Sequence, residues 1–185
     1  MSGSADFFLS PLCYDFPKKR SFLLIRFHEV GDRELPILYR LNRHMAESEG
    51  QAELFTAEYA SYREAFVGER PPVRAWFLSR KKKLFGFVIW QEKFASYTGR
   101  MALYVEDLWM GEYREDHAVV AEVLEELLRR ARETGYSRVE IRRLEWEGID
   151  RSALEETGFA PVEKWRVWRR ELIKNRTTGN RGTEE

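Results

Sequence analysis

The sequence of 185 residues has a single cysteine, three scattered histidines and no long apolar run. One cysteine, Cys13, excludes an intramolecular disulfide framework and an all-cysteine zinc site, and His28, His44 and His117 lack metal-ligand spacing. Without an apolar stretch of membrane-spanning length, a transmembrane helix is not expected. Lys18 to Arg20 follow rather than precede the apolar Phe7 to Leu9, which is the wrong order for a signal peptide. Charge of one sign is also missing, since 31 basic residues balance 31 acidic ones. No bulk field therefore draws the chain to nucleic acid or to a membrane surface. A soluble cytoplasmic protein with neither of those partners is the expectation. What is present is apolar: 43% of the residues, enough with this length for one globular domain around a single substantial core.

Residues 1–20 mix aromatics with Pro11 and Pro17 and read as an arm packed on the domain surface; 21–173 form the domain, and 174–185 a polar tail expected to be disordered. Ser21 to Val30 reads as a first strand. Asp32 opens a helix with Pro36 in its first turn, and Thr56 is the expected N-cap of a second helix that stops at Gly68. Val73 to Ser79 and Leu84 to Phe94 read as antiparallel strands joined at Arg80 to Lys83. That basic run is expected to be a solvated hairpin turn rather than a nucleic-acid patch, because no aromatic stacking surface interleaves it. After the turn at Thr98-Gly99-Arg100, Leu103 to Met110 forms another strand, interrupted by the carboxylates Glu106 and Asp107.

The period then changes. Val119, Val120, Val123, Leu124, Leu127, Leu128 and Ala131 recur at helical spacing. Glu125–Arg129 and Glu126–Arg130 are pairs four residues apart, and Gly135 can supply a left-handed stop. A strand, a loop and a helix start make a natural anion site, because unpaired N–H groups point out of the helix. Arg138 to Trp146 is the next strand, Ser152 to Thr157 a short helix, and Trp165 to Leu172 a final antiparallel strand. The order β-α-α-β-β-β-α-β-α-β describes one mixed α/β (α+β) domain: a central, mostly antiparallel twisted sheet flanked by helices, with a parallel crossover over 103–146.

That order, together with FLLIRFHEVGDRELPILYRL, LFGFVIW, YVEDLWM, EWEGIDRSALEETGF and KWRVW, resembles the Gcn5-related N-acetyltransferase superfamily, and within it the diamine (spermidine/spermine) N-acetyltransferases. The resemblance spans about residues 21–172. It implies acetyl-CoA as acyl donor, a primary amine of diamine or polyamine type as acceptor, and a possible homodimer. It implies that backbone N–H groups of Leu108, Trp109 and Met110 hold the pantetheine, and that Glu106 or Asp107 positions the amine or accepts its proton. Trp165 would offer an aromatic face to the cation, and Tyr97 stands where the family has a tryptophan.

Two motifs depart from the family. Its pyrophosphate loop, Arg/Gln-x-x-Gly-x-Gly/Ala, falls on Glu115-Asp116-His117-Ala118-Val119-Val120, with Glu115, Ala118 and Val120 at the defining positions. Carboxylates there would repel a pyrophosphate, at about 4 kcal/mol for like charges ~4 Å apart in an effective dielectric of 20 and about 1 in water. The favoured expectation is a capped structural helix, with Asp116 as a simple N-cap. The family's general-acid tyrosine falls at Leu154, which has no proton to give, and its cofactor-contacting asparagine at Glu147. Tyr104, Tyr113, His117 and Cys13 are the substitutes for that acid. The two expected functions are an amine N-acetyltransferase and a catalytically degenerate protein of the same fold that binds an amine or a protein partner.

Overall fold

Successive residues of the second strand, Ala75-Trp76-Phe77-Leu78, are all apolar, so both sides of the sheet must be covered. The computed structural model, which describes residues 25–142, 149–163, 167–170 and 172, shows how. Strands β1 (Ile25–Glu29), β2 (Arg74–Arg80), β3 (Lys83–Ala95), β4 (Arg100–Trp109) and β5 (Val139–Ile141) form one sheet whose spatial order repeats the chain order. The first four are mutually antiparallel and β5 joins β4 in parallel. Helices α1 (Leu35–Ser48) and α2 (Tyr59–Phe66) cover one face, where Leu35, Leu38 and Tyr62 pack on Ala75, Phe77, Phe87 and Ile89. Helices α3 (His117–Thr134) and α4 (Arg151–Glu156) cover the other, with Val119, Val123, Leu124 and Leu127 against Trp76, Leu78, Val88 and Val105. Two apolar layers on one sheet give a single mixed domain.

Local chemistry explains the turns. The β2–β3 hairpin closes on Lys81 and Lys82, both left-handed at φ 49° and 68°, the primed geometry whose twist matches the flanking strands. Helix α3 ends at Gly135, φ 84°, whose N–H donates to the Ala131 and Arg132 carbonyls. At Gly86 the requirement is space: a Cβ there would lie 2.3 Å from the Trp109 carbonyl oxygen and 3.0 Å from the Met110 Cα. The end of β4 crosses β3 so closely that only glycine fits.

Several boundaries differ from expectation. Helix α2 starts at Tyr59 behind an extended Glu58, not behind Thr56. A 3-10 turn at Ala52–Leu54 and the bond from the Tyr39 hydroxyl to the Ala57 carbonyl (2.9 Å) hold the intervening chain out of the helix. Arg129 pairs with Glu126 (2.6 Å) and Glu133 instead of Glu125. Residues 167–170 of the expected last strand have no strand pairing, and Val167 and Trp168 are exposed; its other positions except Leu172 lie outside the described residues. So do Ser21 to Leu24, the arm with Cys13, residues 143–146 of the expected fifth strand, and the tail. No described helix is long and apolar enough to cross a membrane, and no described cluster of His, Cys, Asp or Glu could hold a metal ion.

Candidate functional site

Strict alternation along β4 would put Glu106 and Asp107 on opposite faces. The structure corrects this. Asp107 pairs with Ile89 but Trp90 pairs with Val105, so Glu106 is an extra residue in a β-bulge. The bulge resets the alternation and brings both carboxylates to one guanidinium. Glu106 Oε1 is 2.9 Å from Arg142 Nη1, and Asp107 Oδ1 is 3.8 Å from Nη2. Arg142 was not singled out in the sequence. A signal existed, since Glu140 and Arg142 alternate with Val139 and Ile141, which marks a charged face beside β4.

The partners of this triad come from several elements. Asp107 shares its rung with Ile89, on the side covered by α1 and α2. There the buried Tyr62 hydroxyl accepts a bond from Asn42 Nδ2 at 2.9 Å. Burial holds the Tyr62 hydroxyl well above the usual phenol range; the Asn42 bond opposes this and the Asp107 charge adds to it. The side chains of Asp107, Glu106 and Arg142 are 19%, 35% and 46% exposed. The Glu106–Arg142 pair, the more exposed of the two, contributes only about 0.2–1 kcal/mol, so a ligand can exchange for it.

Among the described residues the β4–β5 ladder runs to Val105–Ile141, and the Arg142 N–H continues it with a bond to the Val105 carbonyl at 3.0 Å. From Glu106 onward β4 has no strand partner on that side among the described residues. Leu108 is half-buried, Met110 is buried, and Trp109 lies on the α1 side against Phe87 (5.7 Å) and edge-on to His44 (5.8 Å). A groove of about 400 Å³ runs there between Leu41, His44 and Ser48 of α1 and Trp109 and Gly111.

The start of α3 is closed by the protein itself. Asp116 Oδ1 accepts from the N–H groups of Ala118 (3.1 Å) and Val119 (3.2 Å), which are the groups an anion would need. Val119 and Val120 are fully buried in the core, so a glycine at 120 would leave a void. Glu115 is exposed beside Arg114. His117 ties this turn to α4: its Nδ1 lies 3.2 Å from Asp150 Oδ2 and 3.0 Å from Ser152 Oγ, and its Nε2 lies 2.7 Å from Glu156 Oε2. With both ring nitrogens engaged it is not a free proton donor. Leu154 packs against the α3 core, Tyr113 lies edge-on to Phe85 at 5.1 Å, and the Tyr104 ring lies 5.0 Å beneath Lys93 Nζ. Tyr97 sits in the far β3–β4 turn, and the strand from Arg100 to Glu106 sets it roughly 20 Å from the triad at about 3.4 Å per residue. Trp165, Glu147 and Cys13 lie outside the described residues.

His117 makes the junction of α3 and α4 pH-dependent. Its bond to Glu156, opposed by desolvation and reinforced by Asp150, raises its pKa above the ordinary histidine value of about 6.5. A raised folded-state pKa stabilises fully below the unfolded value and loses that effect as pH rises through the folded one. Melting curves of wild type and His117→Gln should therefore differ most near pH 5–6 and converge on the alkaline side of the raised pKa. A gap that is constant across that range would show that the imidazolium contributes nothing.

No protein-family model and no curated protein matches the chain. Solved structures do. A probable acetyltransferase matches at 18% identity and TM-score 0.61, over 80% of this chain and 98% of its own. The ribosomal-protein-alanine N-acetyltransferase of Brucella melitensis biovar Abortus 2308 matches at 15% identity and TM-score 0.60, over 79% and 99%. An aminoglycoside acetyltransferase from an uncultured soil metagenomic sample matches at 11% identity and TM-score 0.60, over 80% and 95%. Identities this low speak for architecture alone. With the five-stranded sheet, the β4 bulge and the parallel α3 crossover already in place, the chain has the fold of the Gcn5-related N-acetyltransferases.

Proposed function

We propose that the protein transfers the acetyl group of acetyl-CoA to a primary amine, at the bulge of β4. The observation that carries this reading is that bulge, which brings the carboxylates of Glu106 and Asp107 together at Arg142. Backbone N–H groups along Leu108 to Met110 would hold the pantetheine and polarise the thioester carbonyl. The amine nitrogen forms the C–N bond, the C–S bond breaks, and the amine proton passes to Glu106 or Asp107 through water. The departing sulfur, with a thiol pKa of about 8.5, takes its proton from solvent, because Leu154 occupies the family's tyrosine position. A positioned acid is typically worth about 10²–10⁴ in rate, so slow turnover is part of the proposal.

The Asp116 cap favours a second reading, in which the protein binds an amine and does no chemistry, because it occupies the N–H groups on which the pyrophosphate would rest. Thermal melting with millimolar acetyl-CoA separates the two. Ligand at 100 times its dissociation constant stabilises by about 2.7 kcal/mol, which raises the midpoint by roughly 5–11 °C at about 2–4 °C per kcal/mol. No rise with acetyl-CoA, alongside a rise with an amine alone, would replace acyl transfer by the binding reading.

A further inference from the structure

Within the acyl-transfer reading, the charges around the β4 edge narrow the acceptor. Glu106 and Asp107 face Arg142, and two residues back along β5 Glu140 is held between Lys93 Nζ (2.8 Å) and Arg138 Nη2 (2.6 Å). Among the described residues three carboxylates therefore meet three cations, and this set carries no net charge. A polycation finds no surplus of negative charge here. Its second ammonium would lie among Arg142, Arg138 and Lys93, where like charges ~4 Å apart cost from about 1 kcal/mol in water to about 4 in a dielectric of 20.

The guanidinium has capacity of its own. Arg142 Nη1 is within hydrogen-bond distance of Glu106, while the Asp107 carboxylate lies beyond it, at 3.8 Å from Nη2. Arginine presents five N–H donors in a planar fork suited to a carboxylate. We infer that the acceptor is a zwitterion of the α-amino-acid type, its ammonium held by Glu106 and Asp107 and its carboxylate by Arg142. Such a ligand adds one charge of each sign and leaves the cluster neutral. The bulge at Glu106 supplies the spacing, because it gathers both carboxylates at the guanidinium.

Matched pairs that differ only in the carboxylate test this: L-lysine against cadaverine, and L-leucine against 3-methylbutylamine. Each is assayed for thiol release from acetyl-CoA and, separately, for binding by calorimetry without acetyl-CoA. The expected result is at least a tenfold preference in kcat/KM for the amino acid of one pair, lost in Arg142→Gln and partly kept in Arg142→Lys. Equal use of the two members of each pair, a preference for cadaverine, or a preference that survives Arg142→Gln would overturn it. If no compound releases thiol, acyl transfer fails and calorimetry decides the recognition claim alone. Tighter binding of an amino acid, abolished by Arg142→Gln, upholds it, and binding of neither amino acid overturns it.

Discussion

Phe87→Ala is expected to destabilise the protein by about 3–5 kcal/mol, the range for a fully buried phenylalanine truncated to alanine. Phe87 has no exposed surface, belongs to the layer between the sheet and α1 and α2, and packs on Trp109 at 5.7 Å. The loss combines transfer of the ring to water with the void left behind, because strands β2 and β4 pin its neighbours on both sides. At about 2–4 °C per kcal/mol for a chain of this size, the melting midpoint should fall by roughly 6–20 °C. Phe94, farther along the same strand and 62% exposed, is the internal control, and Phe94→Ala should stay within about 0.5 kcal/mol. Chemical denaturation of both variants checks the pair, and similar losses at the two positions would refute the assigned layering.

Gly86→Ala should damage both stability and ligand binding. The added methyl would lie 2.3 Å from the Trp109 carbonyl oxygen, well inside van der Waals contact. That oxygen is backbone, so no side chain can swing away and the end of β4 must shift. Overpacking of this kind costs about 1–3 kcal/mol. The displaced atoms belong to the Leu108 to Met110 stretch proposed to hold the acyl donor. The stabilisation produced by acetyl-CoA should therefore shrink in Gly86→Ala, in contrast to Phe94→Ala, where it should persist. A Gly86→Ala protein with the wild-type midpoint and the wild-type response to acetyl-CoA would refute the close approach of β3 and β4.

Local chemistry was legible in the sequence and pairing was not. The helical stripe of α3, its Asp116 cap and its Gly135 stop all depend on residues within a few positions of one another, and all three stand where the sequence puts them. The β2–β3 hairpin is as local, and Lys81 and Lys82 form its turn. The bulge at Glu106 is a relation between β4 and β3, two strands that each look regular alone. Nothing in YVEDLWM says which residue is the extra one. Arg142 was missed for the same reason: its carboxylate partners lie on the strand before α3, and only the parallel register brings them together. At the start of α2 a plausible cap, Thr56, lost to tertiary contacts, because Tyr39 holds the Ala57 carbonyl outside the helix. At the positions where the resemblance sets a glycine loop and a tyrosine, the structure has a self-capped helix start, two core valines and a half-buried leucine packed against the core.

The match between spatial and chain order of the strands also has a consequence for synthesis. Once residue 109 has left the ribosome, four of the five strands can pair, with α1 and α2 already able to cover one side. The opposite side carries Trp76, Leu78, Val88, Leu103 and Val105 and waits for α3, which ends only at Thr134. At about 5–20 residues per second, the nascent chain bears a bare apolar sheet face for on the order of seconds. The interval between β4 and the completion of α3 is thus one in which transiently exposed apolar surface favours aggregation.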